Sequence, residues 1–297
     1  MSAAPPTPVA ETHEQRLPMT LPRLLDKKRL GEPIVMVTAY DHPSAQAAEI
    51  AGVDVVLVGD SGAMTVLGYP STVPVTIEEM LMLSAAVRRG LSTPLLVGDL
   101  PFGSYEGSDT QAVAAAQRFV KEAGCDAVKL EGAGSSTDRA HAIVRAGIPV
   151  MGHVGLTPQT ATALGGYRAQ GRTAERALEV IEGAIALEQA GCFAVVLEAV
   201  PAAVATEAMK RITVPVIGIG AGATTDGQVL VFHDLLGIRE GVGARFVKRY
   251  ANLLPEMVGG VSNYADDVRE RRFPTSDHTY SIDPQELARL RERLAAG

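Results

Sequence analysis

Four times along this chain an Ala-Gly pair is followed at once by a short run fit for a strand. The runs are Ala51-Gly52-Val53-Asp54-Val55-Val56, Ala123-Gly124-Cys125-Asp126-Ala127-Val128, Ala146-Gly147-Ile148-Pro149-Val150-Met151 and Ala190-Gly191-Cys192-Phe193-Ala194-Val195. Glycine suits the position after a helix because it accepts a left-handed backbone, and β-branched side chains suit the pleated surface of a strand. The repeat therefore reads as a helix-to-strand joint. A chain that reuses such a joint alternates helix and strand, which builds a parallel sheet with helices covering it.

Apolar runs supply eight predicted strands, at 34–38, 55–58, 95–97, 127–130, 150–151, 194–197, 216–217 and 229–232. Helical periodicity lies between most of them, at 44–51, 77–89, 109–123, 137–146, 173–190 and 202–211. An α/β fold of the (β/α)8 TIM-barrel type follows, with right-handed crossovers. A doubly wound open sheet is the alternative, because periodicity does not tell whether the first strand closes on the last. A barrel needs about 250 residues, so the 297 residues suit one catalytic domain at 21–275. Residues 1–20, with Pro5, Pro6, Pro8, Glu11 and Glu14 and no continuous apolar segment, read as a flexible tail. Residues 276–297 read as an extension carrying a helix, with Asp283 as N-cap, Pro284 at its first position and Glu286 three residues after the cap. Leu287, Leu290 and Leu294 line one face of that helix and are expected to pack on the barrel, with another subunit as the alternative.

Composition narrows the function. A net charge of −7 repels a phosphate backbone, and no basic stripe interleaved with aromatics offsets it, so nucleic acid is not expected as a partner. Although 46% of the residues are hydrophobic, no uncharged apolar stretch reaches the length of about 20 that a membrane helix requires. A cytoplasmic protein without membrane partners is expected. The two cysteines, Cys125 and Cys192, stand just before apolar runs and read as small core thiols.

Polar residues close several of the predicted strands. Asp60 follows Val55-Val56-Leu57-Val58-Gly59, Asp99 follows Leu95-Leu96-Val97-Gly98, Lys129 and Glu131 follow Ala127-Val128, and Glu198 follows Ala194-Val195-Val196-Leu197. In a barrel the C-terminal strand ends form the active-site face, so these side chains should converge. Two aspartates from neighbouring strands suit a hard divalent cation, which makes Asp60 and Asp99 candidate ligands, with N-capping of the following loop or helix as the alternative for each. Glu131 lies two residues beyond Lys129, so both point to one face of the strand; there Glu131 could hold a metal-bound water and Lys129 an anionic substrate. An ion pair between the two is the structural alternative. Glu198, flanked by Leu197, Ala199 and Val200, should be partly desolvated, and desolvation makes a carboxylate a better base; a salt bridge to a lysine or arginine is the alternative. His153 could donate to a substrate oxygen or be bonded within the structure, and His233 is a weaker candidate. Gly218-Ile219-Gly220-Ala221-Gly222 reads as backbone that approaches a flat or anionic substrate. Its spacing does not match a dinucleotide fingerprint.

These residues sit in strings that resemble the ketopantoate hydroxymethyltransferase family. They include Val58-Gly59-Asp60-Ser61, Asp99-Leu100-Pro101-Phe102, Val128-Lys129-Leu130-Glu131-Gly132, Gly152-His153-Val154-Gly155-Leu156-Thr157-Pro158-Gln159, Gly165-Gly166-Tyr167-Arg168 and Leu197-Glu198-Ala199-Val200-Pro201. The strings occur in order from about residue 20 to 274. The resemblance implies transfer of a one-carbon unit from 5,10-methylenetetrahydrofolate to 3-methyl-2-oxobutanoate, giving 2-dehydropantoate on the route to pantothenate and coenzyme A. It implies a Mg2+-dependent barrel of the phosphoenolpyruvate/pyruvate type and a homo-oligomer, commonly a decamer. Carried over by residue, Asp60 and Asp99 bind the metal with Glu131 joining them, Asp60, Ser61, Asp99 and Lys129 contact the oxo acid, and Glu198 accepts the proton.

Two other readings compete. One is a Mg2+-dependent 2-oxo acid lyase or mutase of the same superfamily, although the cysteine-containing loop expected of such lyases is absent from the sequence. The other is a non-catalytic metabolite-binding scaffold, against which the polar strand ends argue, since buried charges cost several kcal/mol unless paired.

Overall fold

The computed structural model describes residues 16–239, 241 and 243–296. Most of the tail expected at 1–20, up to residue 15, lies outside the described residues. The chain divides into two compact units, one ending at Arg249 and one starting at Tyr250.

The first unit is a closed barrel of eight parallel strands in sequence order. They are β1 (Ile34–Thr38), β2 (Val55–Val58), β3 (Leu95–Asp99), β4 (Ala127–Glu131), β5 (Val150–Gly155), β6 (Ala194–Glu198), β7 (Val216–Ile219) and β8 (Gly227–Leu230). Closure is made by β1 against β8, with Ile34 opposite Gly227 and Met36 opposite Val229, which excludes the open doubly wound sheet. Around the barrel lie α1 (Leu21–Leu30), α2 (His42–Ala51), α3 (Gly62–Thr65), α4 (Ile77–Arg88), α5 (Asp109–Ala123), α6 (Ser135–Arg145), α7 (Ala174–Gln189), α8 (Ala202–Met209) and α9 (Phe232–Leu236). The repeated joint is as expected: Gly52, Gly124, Gly147 and Gly191 all take positive φ, between 71° and 96°.

Two layers of core follow from the strand period. Ile34, Met36, Val55, Leu57, Leu95, Val97, Ala127, Met151, Ala194, Val196, Ile217 and Val229 fill the barrel interior, while the alternate residues pack outward under the helices. Leu24 of α1, fully buried, joins the interior cluster with Met19 and Leu21 beside it, so this helix contributes to the interior packing. Gly98 marks a tight outward contact, since a Cβ there would lie 2.4 Å from the Phe119 ring of α5 and 2.9 Å from Cys125 Sγ.

Several strands run further than the apolar pattern predicts, from one residue in β4 and β6 to four in β5. The polar residues at their ends stay in the ladder: Asp99 lies opposite Lys129, Glu131 opposite His153 and Gly155 opposite Glu198. The last strand lies earlier than predicted, because Gly227 and Gln228 pair with Ile34 and Val35 while Phe232 opens α9.

The second unit holds α10 (Leu253–Arg269) and α11 (Pro284–Ala295). Asp283 caps α11, its Oδ1 accepting from the amides of Gln285 and Glu286. Leu290 and Leu294 of the expected apolar stripe are exposed. None of the described helices is long and apolar enough to cross a membrane.

Candidate active site

The inward parity that fills the barrel with apolar side chains continues to its C-terminal end and changes chemistry there. Leu95 and Val97 are followed by Asp99, Ala127 by Lys129 and Glu131, Met151 by His153, and Ala194 and Val196 by Glu198. All five polar groups line one cavity of about 600 Å3. Asp60 and Ser61 reach it from the turn after β2, and apolar walls come from Leu57, Met64, Leu156, Ile219 and Phe246. The predicted site residues are thus brought together. Asp60, Asp99, Lys129, Glu131 and His153 are all buried.

Lys129 is the hub. Its Nζ donates to both oxygens of Asp99, at 2.7 and 2.8 Å, and lies 3.5 Å from Glu131 Oε1. The expected pairing with Glu131 is therefore secondary to the one with Asp99. Burial opposes the lysine charge, but Asp99, Glu131 and Asp60 outweigh it and hold the ammonium protonated, above the usual lysine range. Asp99 is pushed upward chiefly by burial and also by Glu131, while Lys129 pulls against them. With both its oxygens on an ammonium, Asp99 and Lys129 stand as an ionised pair.

Asp60 is pushed well above the ordinary carboxylate range, first by burial and then by repulsion from Asp99 and Glu131. Its backbone N–H donates to Asp99 Oδ2 at 3.1 Å, linking the two aspartates. Ser61 Oγ is 2.8 Å from the hydroxyl of buried Tyr40.

His153 lies between two carboxylates, with Nδ1 3.3 Å from Glu131 Oε1 and Nε2 3.3 Å from Glu198 Oε2. These are ion-pair distances without hydrogen-bond alignment, since neither ring nitrogen has a directed partner among the described residues. Burial and Lys129 oppose a charge on the ring, yet the two carboxylates prevail and push it up to about 9. Glu131 itself is drawn below the ordinary range: burial acts against this, but Lys129 and His153 dominate. Glu198 keeps 16% of its side chain exposed, and the next residue, Ala199, holds a left-handed backbone with φ 50°. The base candidate thus faces both a buried imidazole and the open cavity.

Two further members of the site, Gln159 and Tyr105, carry no strand-end signal. Gln159 belongs to the 3-10 turn Pro158–Thr160 just beyond β5, and Tyr105 to the loop between β3 and α5; both are buried. Gln159 Nε2 donates to Asp60 Oδ2 at 3.1 Å and to the Leu100 carbonyl at 2.9 Å, and its backbone N–H donates to Glu131 Oε2 at 3.0 Å. The available signal was a polar residue in Thr157-Pro158-Gln159. Ending the predicted strand at residue 151 placed that turn too far from the mouth.

Other candidates fall outside. His233 packs against Tyr40, ring centroids 5.4 Å apart, and does not line the cavity. In the glycine-rich loop, a Cβ on Gly220 would meet Phe246 at 2.5 Å and one on Gly222 would meet Ala202 at 2.5 Å, so close packing accounts for these glycines. Cys125 and Cys192 are buried free thiols, each pushed up to about 12, chiefly by burial.

Among the described residues no three carboxylate, imidazole or thiolate groups are arranged to enclose a metal by themselves. A magnesium-type cation needs less, since one or two carboxylates suffice when water and substrate oxygens complete its shell. The hard oxygen donors Asp60 and Asp99, linked through the Asp60 amide and lining one cavity with Glu131, fit such a group.

A closed parallel barrel that gathers buried carboxylates, a lysine and a histidine into one cavity at its strand ends defines a TIM-barrel enzyme. A family model described as ketopantoate hydroxymethyltransferase matches residues 18–276. The chain is 52% identical over 266 residues to 3-methyl-2-oxobutanoate hydroxymethyltransferase of Moorella thermoacetica, covering 90% of this chain and 99% of that protein. The Thermus thermophilus protein of the same name is 53% identical over 250 residues, covering 84% and 95%. A relative in Arabidopsis thaliana, named as the mitochondrial form, is 50% identical and covers 94% and 82%. The chain belongs to the ketopantoate hydroxymethyltransferase family, enzymes of the pantothenate pathway that act on small molecules. Its fold is shared with phosphonopyruvate hydrolase, crystallised with oxalate and Mg2+, at a TM-score of 0.58 and 15% identity over 94% of this chain and 97% of that one. It is likewise shared with 2,3-dimethylmalate lyase of the PEP mutase/isocitrate lyase superfamily, at a TM-score of 0.52 and 16% identity over 94% and 98%. Family membership decides against the lyase or mutase and scaffold readings.

Proposed function

We propose that this cavity transfers a hydroxymethyl unit from 5,10-methylenetetrahydrofolate to 3-methyl-2-oxobutanoate, forming 2-dehydropantoate, and that Glu198 is the base. The observation that carries this reading is the placement of Glu198, partly open to the cavity and backed by His153, across a mouth that also holds Lys129, Asp60 and Asp99.

The substrate carboxylate binds Ser61, whose hydroxyl is oriented by Tyr40, and the ammonium of Lys129. Glu198 then takes the C3 proton, with the His153 ring holding Oε2 in place at 3.3 Å. Charge that develops on the 2-oxo oxygen is met by Lys129, whose ammonium is already fixed on Asp99 and needs little reorganisation. Asp60 and Asp99, with Glu131 beside them, would hold a divalent cation, Mg2+ in this reading, which when bound would supply Lewis acidity to the oxo acid. The C3 carbanion forms a carbon–carbon bond to the folate methylene carbon. One of the two carbon–nitrogen bonds of that methylene breaks as the carbon–carbon bond forms, a water then displaces the second nitrogen and provides the hydroxyl, and the C3 proton and one proton of the water end on the two folate nitrogens as tetrahydrofolate leaves. The apolar walls at Met64, Leu156 and Phe246 suit the isopropyl group and the flat pterin. The reading is completed by a cytoplasmic homo-oligomer, a decamer by family resemblance.

Proton NMR of 3-methyl-2-oxobutanoate in deuterated buffer tests the proposal, with the protein and 5,10-methylenetetrahydrofolate, in Mg2+ and again in chelator. Metal-dependent C3 exchange and 2-dehydropantoate are expected. Absence of both signals from folded, metal-loaded protein would overturn the assignment.

A further inference from the structure

The two residues that the sequence did not single out form a hydrogen-bond chain in which every donor is determined. The amide N–H of Glu131 donates to the Tyr105 hydroxyl at 3.2 Å. That hydroxyl has one hydrogen and lies 2.6 Å from Gln159 Oε1, against 3.4 Å from the Glu131 carbonyl, so it donates to Gln159. With Oε1 so engaged, Nε2 must face the opposite way, and both of its hydrogens are used, one on the Leu100 carbonyl and one on Asp60 Oδ2. Asp60 therefore spends one oxygen on a neutral donor. No donor among the described residues meets its other oxygen.

We infer that Gln159 is a positioning residue, locked by Tyr105, that sets the rotamer of Asp60 so that one carboxylate oxygen is presented for a divalent cation. The inference rests on the reading of Asp60 as a metal ligand. A neutral amide suits the task. It fixes the carboxylate without adding a cation that would compete with the metal, and it adds no fourth negative charge beside Asp60, Asp99 and Glu131. Partners that orient a metal-binding group from behind typically change metal affinity by about 10–100-fold when removed. The backbone bond from Gln159 to Glu131 Oε2 does not depend on the side chain. Substitution thus keeps the bond to Glu131 while releasing Asp60, together with the Leu100 carbonyl and the Tyr105 hydroxyl.

The test is Mn2+ binding to the full-length protein, measured by electron paramagnetic resonance and separately from turnover. Gln159→Met, of similar length and without polar atoms, should weaken Mn2+ about 10–100-fold and raise the Mg2+ concentration needed for half-maximal rate, with kcat largely recovered at saturating metal. Gln159→Glu, which sets a carboxylate against Asp60 Oδ2, should weaken Mn2+ at least as much. Tyr105→Phe frees the amide to turn and should give a smaller loss, so it serves as the test if Gln159→Met does not fold. A role confined to packing would lower the melting temperature of these variants and leave Mn2+ affinity at the wild-type value, and that result overturns the inference. If the wild type itself neither binds Mn2+ nor forms 2-dehydropantoate, the functional reading falls and this inference with it. If the wild type does both and Gln159→Met binds Mn2+ as tightly, the inference alone falls.

Discussion

Lys129→Met is the substitution whose cost the structure defines best. The lysine side chain is 4% exposed and its partners Asp99 and Glu131 are 1% exposed, so solvent screens the cluster little. At 2.7 Å the attraction between Nζ and Asp99 is about 6 kcal/mol for an effective dielectric near 20, before desolvation is subtracted. Methionine keeps most of the apolar stem, so the loss comes from leaving Asp99 buried without its cation, a situation that costs about 3–5 kcal/mol. In a domain of this size that lowers the melting temperature by roughly 6–20 °C. The assay is calorimetric unfolding in chelator without substrate, for the wild type, Lys129→Met, and Lys129→Met combined with Asp99→Asn. Neutralising Asp99 removes the orphaned charge, so the double variant should regain about 2 kcal/mol over Lys129→Met. A Lys129→Met protein within about 1 kcal/mol of wild type, or a double variant no more stable than the single one, would refute the claim that one charge pair organises this site.

Three further expectations address the base, the thiols and the packing. Glu198→Gln should slow C3 exchange and turnover by about 100- to 10,000-fold while the affinity for 3-methyl-2-oxobutanoate, followed by calorimetry, stays near wild type; unchanged exchange would remove Glu198 from the role of base. Between pH 9.0, the ordinary thiol value, and about 12, buried Cys192 keeps a proton that the unfolded chain has lost. Stability should therefore fall as pH rises through that window, by at most about 1.4 kcal/mol per pH unit for this group, and urea melts of Cys192→Ala should show the shallower slope. Gly98→Ala places a methyl 2.4 Å from the Phe119 ring and should cost about 1–3 kcal/mol of stability by overpacking, with partial recovery in Gly98→Ala/Phe119→Leu; a neutral Gly98→Ala would show that α5 can shift freely.

The barrel was legible because its information is local and repeated. The Ala-Gly joints demand a left-handed residue, and the runs after them are apolar on both faces, so order and type of the elements follow without tertiary knowledge. Helices that lack such signals do not stand out in the sequence. Helix α1 buries only Leu24, and α10 has no fully buried residue. Strand ends are hidden for the opposite reason. The same inward parity that marks Ile34, Met36 and Val97 as core also delivers Asp99, Lys129, Glu131, His153 and Glu198, yet a reading by hydrophobicity stops where the first charge appears. The ladder continues through these residues, because their backbone groups still pair with the neighbouring strand.

The site shows why the remainder could not be read from strand patterns. Asp60, Asp99 and Glu131 were each identifiable as a polar end to an apolar run, but no spacing rule says that Lys129 binds Asp99 with both oxygens and touches Glu131 only at 3.5 Å. That preference comes from barrel register, which sets Lys129 beside Asp99 across the β3–β4 ladder and leaves Glu131 beside His153 across the next one. His153 gains two carboxylate neighbours in the same way, one on its own ladder partner and one from β6, and together they outweigh the desolvation and the nearby ammonium that oppose its charge. Gln159 and Tyr105 reach the site from loops after different strands, so their meeting is a property of the closed barrel rather than of any segment. The acid–base character of the mouth thus depends on closure itself: the β1–β8 pairing completes the ring that brings the loops after β2, β3 and β5 within hydrogen-bond reach of one another.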